Sequence, residues 1–537
     1  MKKLWVNIGI FFGCFLLLIS CLGAVLVFAP GMELLGVMYI RSTSGSVNDS
    51  SVVSDAVNYK NISVNTDNVP VYIEFVQSYT LSINLVEEYD GFAKAGGSPY
   101  VKVSRTSDEL IIQSFEYKPI LFNSRSEQSG LFVKVPMYYC NNINVKSNKS
   151  AVSFSGNQAT VRDINISSNG KITLSNDLNM NSLTLEYGNK PAVISDSVNM
   201  SGTVYAKSTA GDLTLPAGFT GKVEYVSTTG DLHCASCGQL SFNSKSGQVK
   251  GVGNDLPTII GDCVINTSGS VTIGSIGGAG AISSNNGSVA IGEKGKIYSN
   301  RLSINTKAGK VNMYGVYTNA ETTVATKYGK IYVEQAGNIT ISSKLGDIKV
   351  DSIISGKIST TSGDISVGLV TDKVNITTKG GDVTVGNLDD KTSSADITTK
   401  GGDVSIINAG AGEFNIITKS GDIDYSQAEG ESAKLNIESE RGEVNLEKIS
   451  GETNVKTNGK IFASIYNITK PITLIGKNKD ITVMVRQYCY CDLSSKKNIV
   501  SAPGLEGETK TYYSIPEGVN QYLKIQTERG NITVAVE

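Results

Sequence analysis

Apolar and polar residues alternate through most of this chain, and a glycine interrupts the alternation about every nineteen positions from Gly211 to Gly459. The recurring phrase is Thr-Lys-x-Gly-Asp-(Ile/Val)-x-Val. It reads Gly346-Asp347-Ile348-Lys349-Val350, then Gly363-Asp364-Ile365-Ser366-Val367, Gly381-Asp382-Val383-Thr384-Val385, Gly402-Asp403-Val404-Ser405-Ile406 and Gly421-Asp422-Ile423-Asp424-Tyr425. Successive glycines lie 17 to 22 residues apart. Two residues after each glycine an apolar residue recurs (Ile348, Ile365, Val383, Val404, Ile423), and a second follows two further on. A third recurs five before the glycine (Ile341, Ile358, Ile376, Ile397, Ile416). A spacing of two puts the first pair on one face of a strand. A period near twenty without a helical pattern predicts stacked turns, each a poor folding unit alone, whose inward residues form continuous ladders. β-Branched residues suit such a buried parallel stack. Glycine at the corner answers either a positive φ or a close backbone approach.

The predicted fold is all-β: a single-stack parallel β-solenoid (β-helix) of rungs about nineteen residues long, with β caps. Some 16 rungs at strand spacing would extend ~75 Å. Residues 56–165 alternate without the regular glycine and read as an N-terminal irregular β segment or cap, 166–463 as the regular repeats, and 464–537 as a C-terminal β segment or cap. Caps are expected because a bare stack end is a sticky sheet edge.

The first residues break the pattern. Lys2 and Lys3 precede an apolar run from Trp5 to Phe28. That length predicts one transmembrane signal-anchor helix over 5–28, with residues 1–4 cytoplasmic, 29–55 a linker, and everything after Pro30 outside. Two alternatives stay open: ordinary signal cleavage, and lipidation at Cys21, since Leu18-Ile19-Ser20-Cys21 resembles a bacterial lipobox. The run continues past Cys21, which favours the uncleaved anchor.

The 537 residues carry 48 basic and 50 acidic side chains, a net charge of −2, so there is no basic excess for nucleic acid. A single His offers little for His-based chemistry.

The repeat phrase, preceded by irregular strands ending in Val133-Lys134-Val135-Pro136, resembles the bacterial adhesin-type family of cell-envelope β-solenoid domains of unknown function. The likeness covers about residues 56–537. It implies a solenoid behind an N-terminal membrane segment and brings no catalytic residues with it.

Candidate chemistry is sparse. His233, Cys234 and Cys237 form the one Cys-x-x-Cys with a His beside it. A zinc site needs about four ligands, and Cys263 is more than a rung away. A buried corner, a metal site and a redox pair all remain readings of it. Cys489 and Cys491 share a strand face at a separation that strains a direct disulfide. Asp347, Asp364, Asp382, Asp403 and Asp422, with Glu443, follow consecutive glycines and would stack as a carboxylate column. Lys344, Lys379, Lys400 and Lys419 could neutralise it, or a hard divalent cation could. The rungs before it are basic, Lys307 with Lys310 and Lys327 with Lys330, and could meet an anionic polymer or simply be solvated. No cofactor, metal or catalytic residue is assigned.

The function expected from this sequence is a non-catalytic, membrane-anchored, outward-facing surface protein of the cell envelope. It would bind surface glycan, matrix or other polymers along its rungs, and not nucleic acid. A passive spacer or self-associating rod is the alternative. A carbohydrate-active β-helix enzyme is the third reading, and the tight corners and scarce arginines count against it.

Overall fold

The computed structural model describes residues 2–28, 32–34, 37–41, 47–95, 99–388, 394–486, 489–496, 500–501 and 522–536. Parts of the expected linker (29–31, 35–36, 42–46) and of the expected C-terminal cap (487–488, 497–499, 502–521, 537) lie outside the described residues, as does Met1. The chain divides into two compact units, Met1–Asp255 and Leu256–Glu537. Apart from one N-terminal helix the fold is all-β, a β-solenoid of about 17 turns.

In the first unit the helix Lys2–Phe28 leads the chain. Among the described residues no helix is long and apolar enough to cross a membrane. The stretch read as a linker instead contains strands. Glu33–Leu34 and Val37–Ile40 join Tyr89–Lys94 and Pro119–Arg125 in a small antiparallel sheet. Val47–Val53 pairs antiparallel with Leu81–Glu87. Ile40, Tyr89, Ala93 and Tyr117 form this sheet's own core. Its strands come partly from the stretch read as a linker and partly from the segment read as a cap.

A buried ion pair fastens that sheet. Glu87 is fully buried, and Arg125 donates to its Oε1 through Nε at 3.1 Å and Nη2 at 2.9 Å. The same guanidinium donates to the carbonyl oxygens of Asn68 and Tyr117, tying the small sheet to the first turn of the solenoid. Burial raises the Glu87 carboxyl to about 7, against the pull of Arg125 and of the Tyr117 N–H.

Parallel stacking then takes over. Val152, Ile172, Ala192, Leu213, Leu232 and Val249 align as one buried ladder. Val64, Val145, Ile166, Leu185, Ala206, Tyr225 and Phe242 align as another.

The second unit repeats the scheme, and its register shifts, as between Ile353 and Ser355, fall outside the two ladders. Ile348, Ile365, Val383, Val404, Ile423, Val444, Ile461, Ile481 and Ile532 face one another in sequence. Ile304, Val324, Ile341, Ile358, Ile376 and Ile397 form the ladder on the incoming strand. Each residue named in these ladders is buried. A fully buried Ile or Val contributes about 1.5–3 kcal/mol relative to exposure.

The end of the chain departs from a simple cap. Tyr522–Thr527 pairs with Ile472–Gly476 on one side and with Tyr490–Ser495 on the other. Ile532–Val536 likewise pairs with both Ile481–Val485 and Val500–Ser501. Among the described residues the last rung in sequence is therefore the penultimate rung in space.

Candidate functional site

The corner is built from three consecutive duties of the repeat phrase. The Ser or Thr three residues before the glycine is buried, and its Oγ accepts the glycine N–H: Ser343 from Gly346 at 2.9 Å, Thr360 from Gly363, Thr378 from Gly381, Thr399 from Gly402 and Thr418 from Gly421, each at 3.1 Å. The glycine lies against the rung below. A Cβ on Gly346 would lie 1.9 Å from the Gly329 carbonyl oxygen, and one on Gly402 1.9 Å from that of Gly381. None of these corner glycines has a positive φ. Close approach, not left-handed backbone, selects glycine here.

The aspartate after the glycine completes the corner. Its Oδ1 accepts the backbone N–H of the acidic residue one rung on: Asp347 from Asp364 at 3.2 Å, Asp364 from Asp382 at 3.0 Å, Asp382 from Asp403 at 2.9 Å, Asp403 from Asp422 at 2.8 Å and Asp422 from Glu443 at 2.7 Å. The carboxylate column predicted from sequence is present, and one oxygen of each Asp is engaged by backbone. The same device recurs at Asp212 to Asp231 and at Asp480 to Asn531. Satisfying a donor that the rung geometry would otherwise leave to water is reason enough for Asp at this position.

Neutralisation does not follow the expected pairing. Among the described residues Lys344, Lys379, Lys400 and Lys419 make no ion pair with the column. Its two ends are met by lysines that occupy the corner position themselves: Lys330 to Asp347 at 2.8 Å and Lys460 to Glu443 at 3.4 Å. The Lys330 ammonium holds the Asp347 carboxyl below its ordinary range, and the Asp364 N–H works in the same direction. The expected lysines fail for a geometric reason. Two residues before the glycine they stack in a column of their own.

That column is basic at Lys307, Lys327 and Lys344 and, past Thr361, again at Lys379, Lys400 and Lys419. Tyr328 N–H donates to the Lys307 carbonyl, and Leu345 N–H to that of Lys327, so the rungs of Lys307, Lys327 and Lys344 lie in order. Their side chains line a shallow groove of about 350 Å³ with Ser283, Asn285 and Asn305. The Lys327 ammonium sits 4.9 Å from the centre of the half-exposed Tyr328 ring. The Tyr328 phenol is shifted down, chiefly by its contact with Lys327, with Lys344 and Lys307 adding to the field. Of the basic residues read from sequence, Lys307 and Lys327 enter this groove, whereas Lys330 is turned to Asp347. Lys344, read as a neutraliser of the acid column, belongs to the groove instead.

A second shallow groove, of about 340 Å³, runs beside an asparagine ladder. Asn436 Nδ2 donates to Asn415 Oδ1 at 2.9 Å, and Asn415 Nδ2 to Asp396 Oδ1 at 2.9 Å. The sequence signal for it was Asn recurring in the incoming strand.

The cysteine candidates separate. His233 is half-buried on the outward side of its strand, whereas Cys234 and Cys237 are buried. Cys263 is buried and belongs to the other unit. Among the described residues no group of three or more His, Cys, Asp or Glu is placed to hold a metal ion. Cys489 and Cys491 place their sulfurs 3.5 Å apart, in contact without a bond. Their contact lowers the Cys489 thiol and raises that of Cys491, as expected when two thiols share one proton site.

Stacked rungs, hydrogen-bonded corners and long columns of identical outward side chains define a β-solenoid whose chemistry is spread over its surface. The family model described as Toastrack DUF4097 matches residues 59–334, 317–484 and 371–535, and the chain belongs to that family, a β-solenoid family of unknown function. No curated protein and no solved structure matches the chain.

Proposed function

We propose that this protein is a membrane-anchored, outward-facing and non-catalytic surface module that binds polymers through repeated contacts along its rungs. The observation that carries the reading is register. Outward side chains recur at one rung spacing, about 4.8 Å, for many rungs. A repeating ligand can therefore meet the same group again and again, and weak contacts sum to useful avidity. The two grooves described above are shallow and open along the stack, a shape suited to a chain rather than to a small substrate.

Anchoring rests on the apolar run from Trp5 to Phe28 behind Lys2 and Lys3. Within the helix the side chains of Phe11, Phe12, Leu16 and Leu17 are exposed, so this surface calls for an apolar cover. A bilayer supplies one, with the solenoid on the outer side by the positive-inside rule.

The test is protease shaving of intact host cells with mass spectrometry of the released peptides. Release of solenoid peptides while residues 1–28 remain with the membrane is the expected result. Digestion only after lysis would overturn the outward-facing reading. Failure of the released solenoid to bind any polymer on a glycan and matrix array would favour a passive spacer.

A further inference from the structure

The groove on the second unit carries an uncompensated positive charge in a chain that is slightly acidic overall. Between Ser283 and Asp347 there are eight cationic and four acidic residues, against a net charge of −2 for the whole chain. All four acids are engaged elsewhere. Asp347 meets Lys330, Glu321 meets Arg301 at 3.4 Å, Glu293 meets Lys296 at 2.9 Å, and Glu334 accepts the Gly315 N–H at 2.7 Å. Among the described residues Lys307, Lys310, Lys327 and Lys344 have no carboxylate partner. Three of them project from successive rungs into one groove.

We propose that this groove binds an acidic polysaccharide, with its anionic groups on Lys307, Lys327 and Lys344 and its hydroxyls on Ser283, Asn285 and Asn305. The inference rests on the polymer-binding reading above and names its ligand class. Three ammonium groups at rung spacing suit a chain that carries charge at regular intervals, and closely spaced like charges gain most from a polyanion that bridges them. The neutral amides and hydroxyl between them match sugar hydroxyls, which take both donors and acceptors. The half-exposed Tyr328 ring beside Lys327 offers an apolar face to a sugar ring. A nucleic acid fits less well. A single strand calls for successive stacking aromatics along its path, and the described groove has one ring, Tyr328, beside it.

The experiment uses the full chain in detergent micelles and calorimetric titration with oligosaccharides of one length. Hyaluronan represents carboxylates, heparin represents sulfates, dextran is the neutral control, and a single-stranded oligothymidylate represents phosphates. The variants are K307Q/K327Q/K344Q and, from the same column beside the acid ladder, K379Q/K400Q/K419Q. The expected result is binding of hyaluronan or heparin that the first variant weakens about tenfold or more and the second leaves within a factor of about two. The affinity should also fall steeply between low and physiological salt. The better of the two acidic ligands identifies the anionic group. Equal affinity of wild type and first variant, or tighter binding of oligothymidylate than of either acidic glycan, would overturn the proposal. Unchanged binding together with solenoid release from intact cells would sink the groove alone. Groove-dependent binding without such release would sink the outward-facing reading alone.

Discussion

The backbone N–H of Asp382 donates to Oδ1 of Asp364 at 3.0 Å, while the Asp382 carbonyl accepts the N–H of Ile365 at 2.8 Å. One residue thus closes both backbone accounts at its corner by leaning on the rung below. Its own Oδ1 then serves Asp403. The column of like charges persists because each carboxylate has a hydrogen-bonding duty that offsets its repulsion.

Replacing Asp382 separates duty from charge. D382A removes the acceptor for the Asp403 N–H and should cost about 0.5–1.5 kcal/mol. D382N keeps an amide oxygen in the same place and relieves repulsion, so it should be close to neutral. Urea denaturation followed by circular dichroism checks this. A D382N loss as large as that of D382A would show that charge, not the hydrogen bond, matters.

Two neighbouring glycines make a sharper pair. A Cβ at Gly402 would sit 1.9 Å from the carbonyl oxygen of Gly381, whereas at Gly401 the nearest atom is 3.6 Å away. G402A must push two rungs apart and should destabilise by about 3 kcal/mol or more. G401A should stay within about 0.5 kcal/mol of wild type. Thermal unfolding midpoints and the rate of proteolytic nicking near the corner read the difference.

The buried pair of Glu87 and Arg125 predicts a pH dependence. Burial lifts Glu87 from its ordinary 4.5 to about 7. Between those values the folded chain holds a proton that the unfolded chain has released, so stability falls as pH rises. This contribution is complete below the unfolded pKa and is lost as pH rises through about 7. The urea midpoint of the wild type should therefore be higher at pH 5 than at pH 7.5, and E87Q should flatten that slope. R125M leaves the carboxyl buried without its cation and should cost about 3–5 kcal/mol at pH 7.5. An unchanged slope in E87Q would remove Glu87 as its origin.

Legibility in the sequence followed periodicity. The inward ladders through Ile348, Ile365 and Val383 were readable because a period of two inside a period near nineteen allows one stacking register. The acid column was readable for the same reason, but its hydrogen bonds were not. Nothing in a string of Asp residues tells whether an oxygen faces solvent or the next N–H. Glycine left two physical reasons open, and only the distance from Gly402 to the Gly381 carbonyl chose between them. Lys344 was misassigned because proximity in sequence to Asp347 does not put two outward columns within reach. Glu87 and Arg125 lie 38 residues apart in a segment without period, so no pattern announced their contact. Val37–Ile40 and Val47–Val53 were hidden similarly, since each is held by a strand beyond residue 80, Tyr89–Lys94 and Leu81–Glu87.

The threaded C-terminus gives the last prediction. In chain order Tyr490–Ser495 precedes Tyr522–Thr527, yet the later strand lies between the earlier one and Ile472–Gly476. A stop codon at Tyr522 therefore removes a middle rung, not an end rung. Ile472–Gly476 and Ile481–Val485 lose the partners that cover their edges, and Tyr490–Ser495 loses its neighbour. Bare parallel edges are templates for intermolecular pairing. The truncated protein should self-associate in light scattering and be cleaved faster than the full chain within 477–486 and 489–496. Substituting L523D should act in the same direction, because Leu523 is buried against Ile472 on one side and Cys491 on the other. A truncated chain that stays monomeric and protease-resistant would show that Tyr490–Ser495 can re-dock directly onto Ile472–Gly476, and that the inserted rung is dispensable.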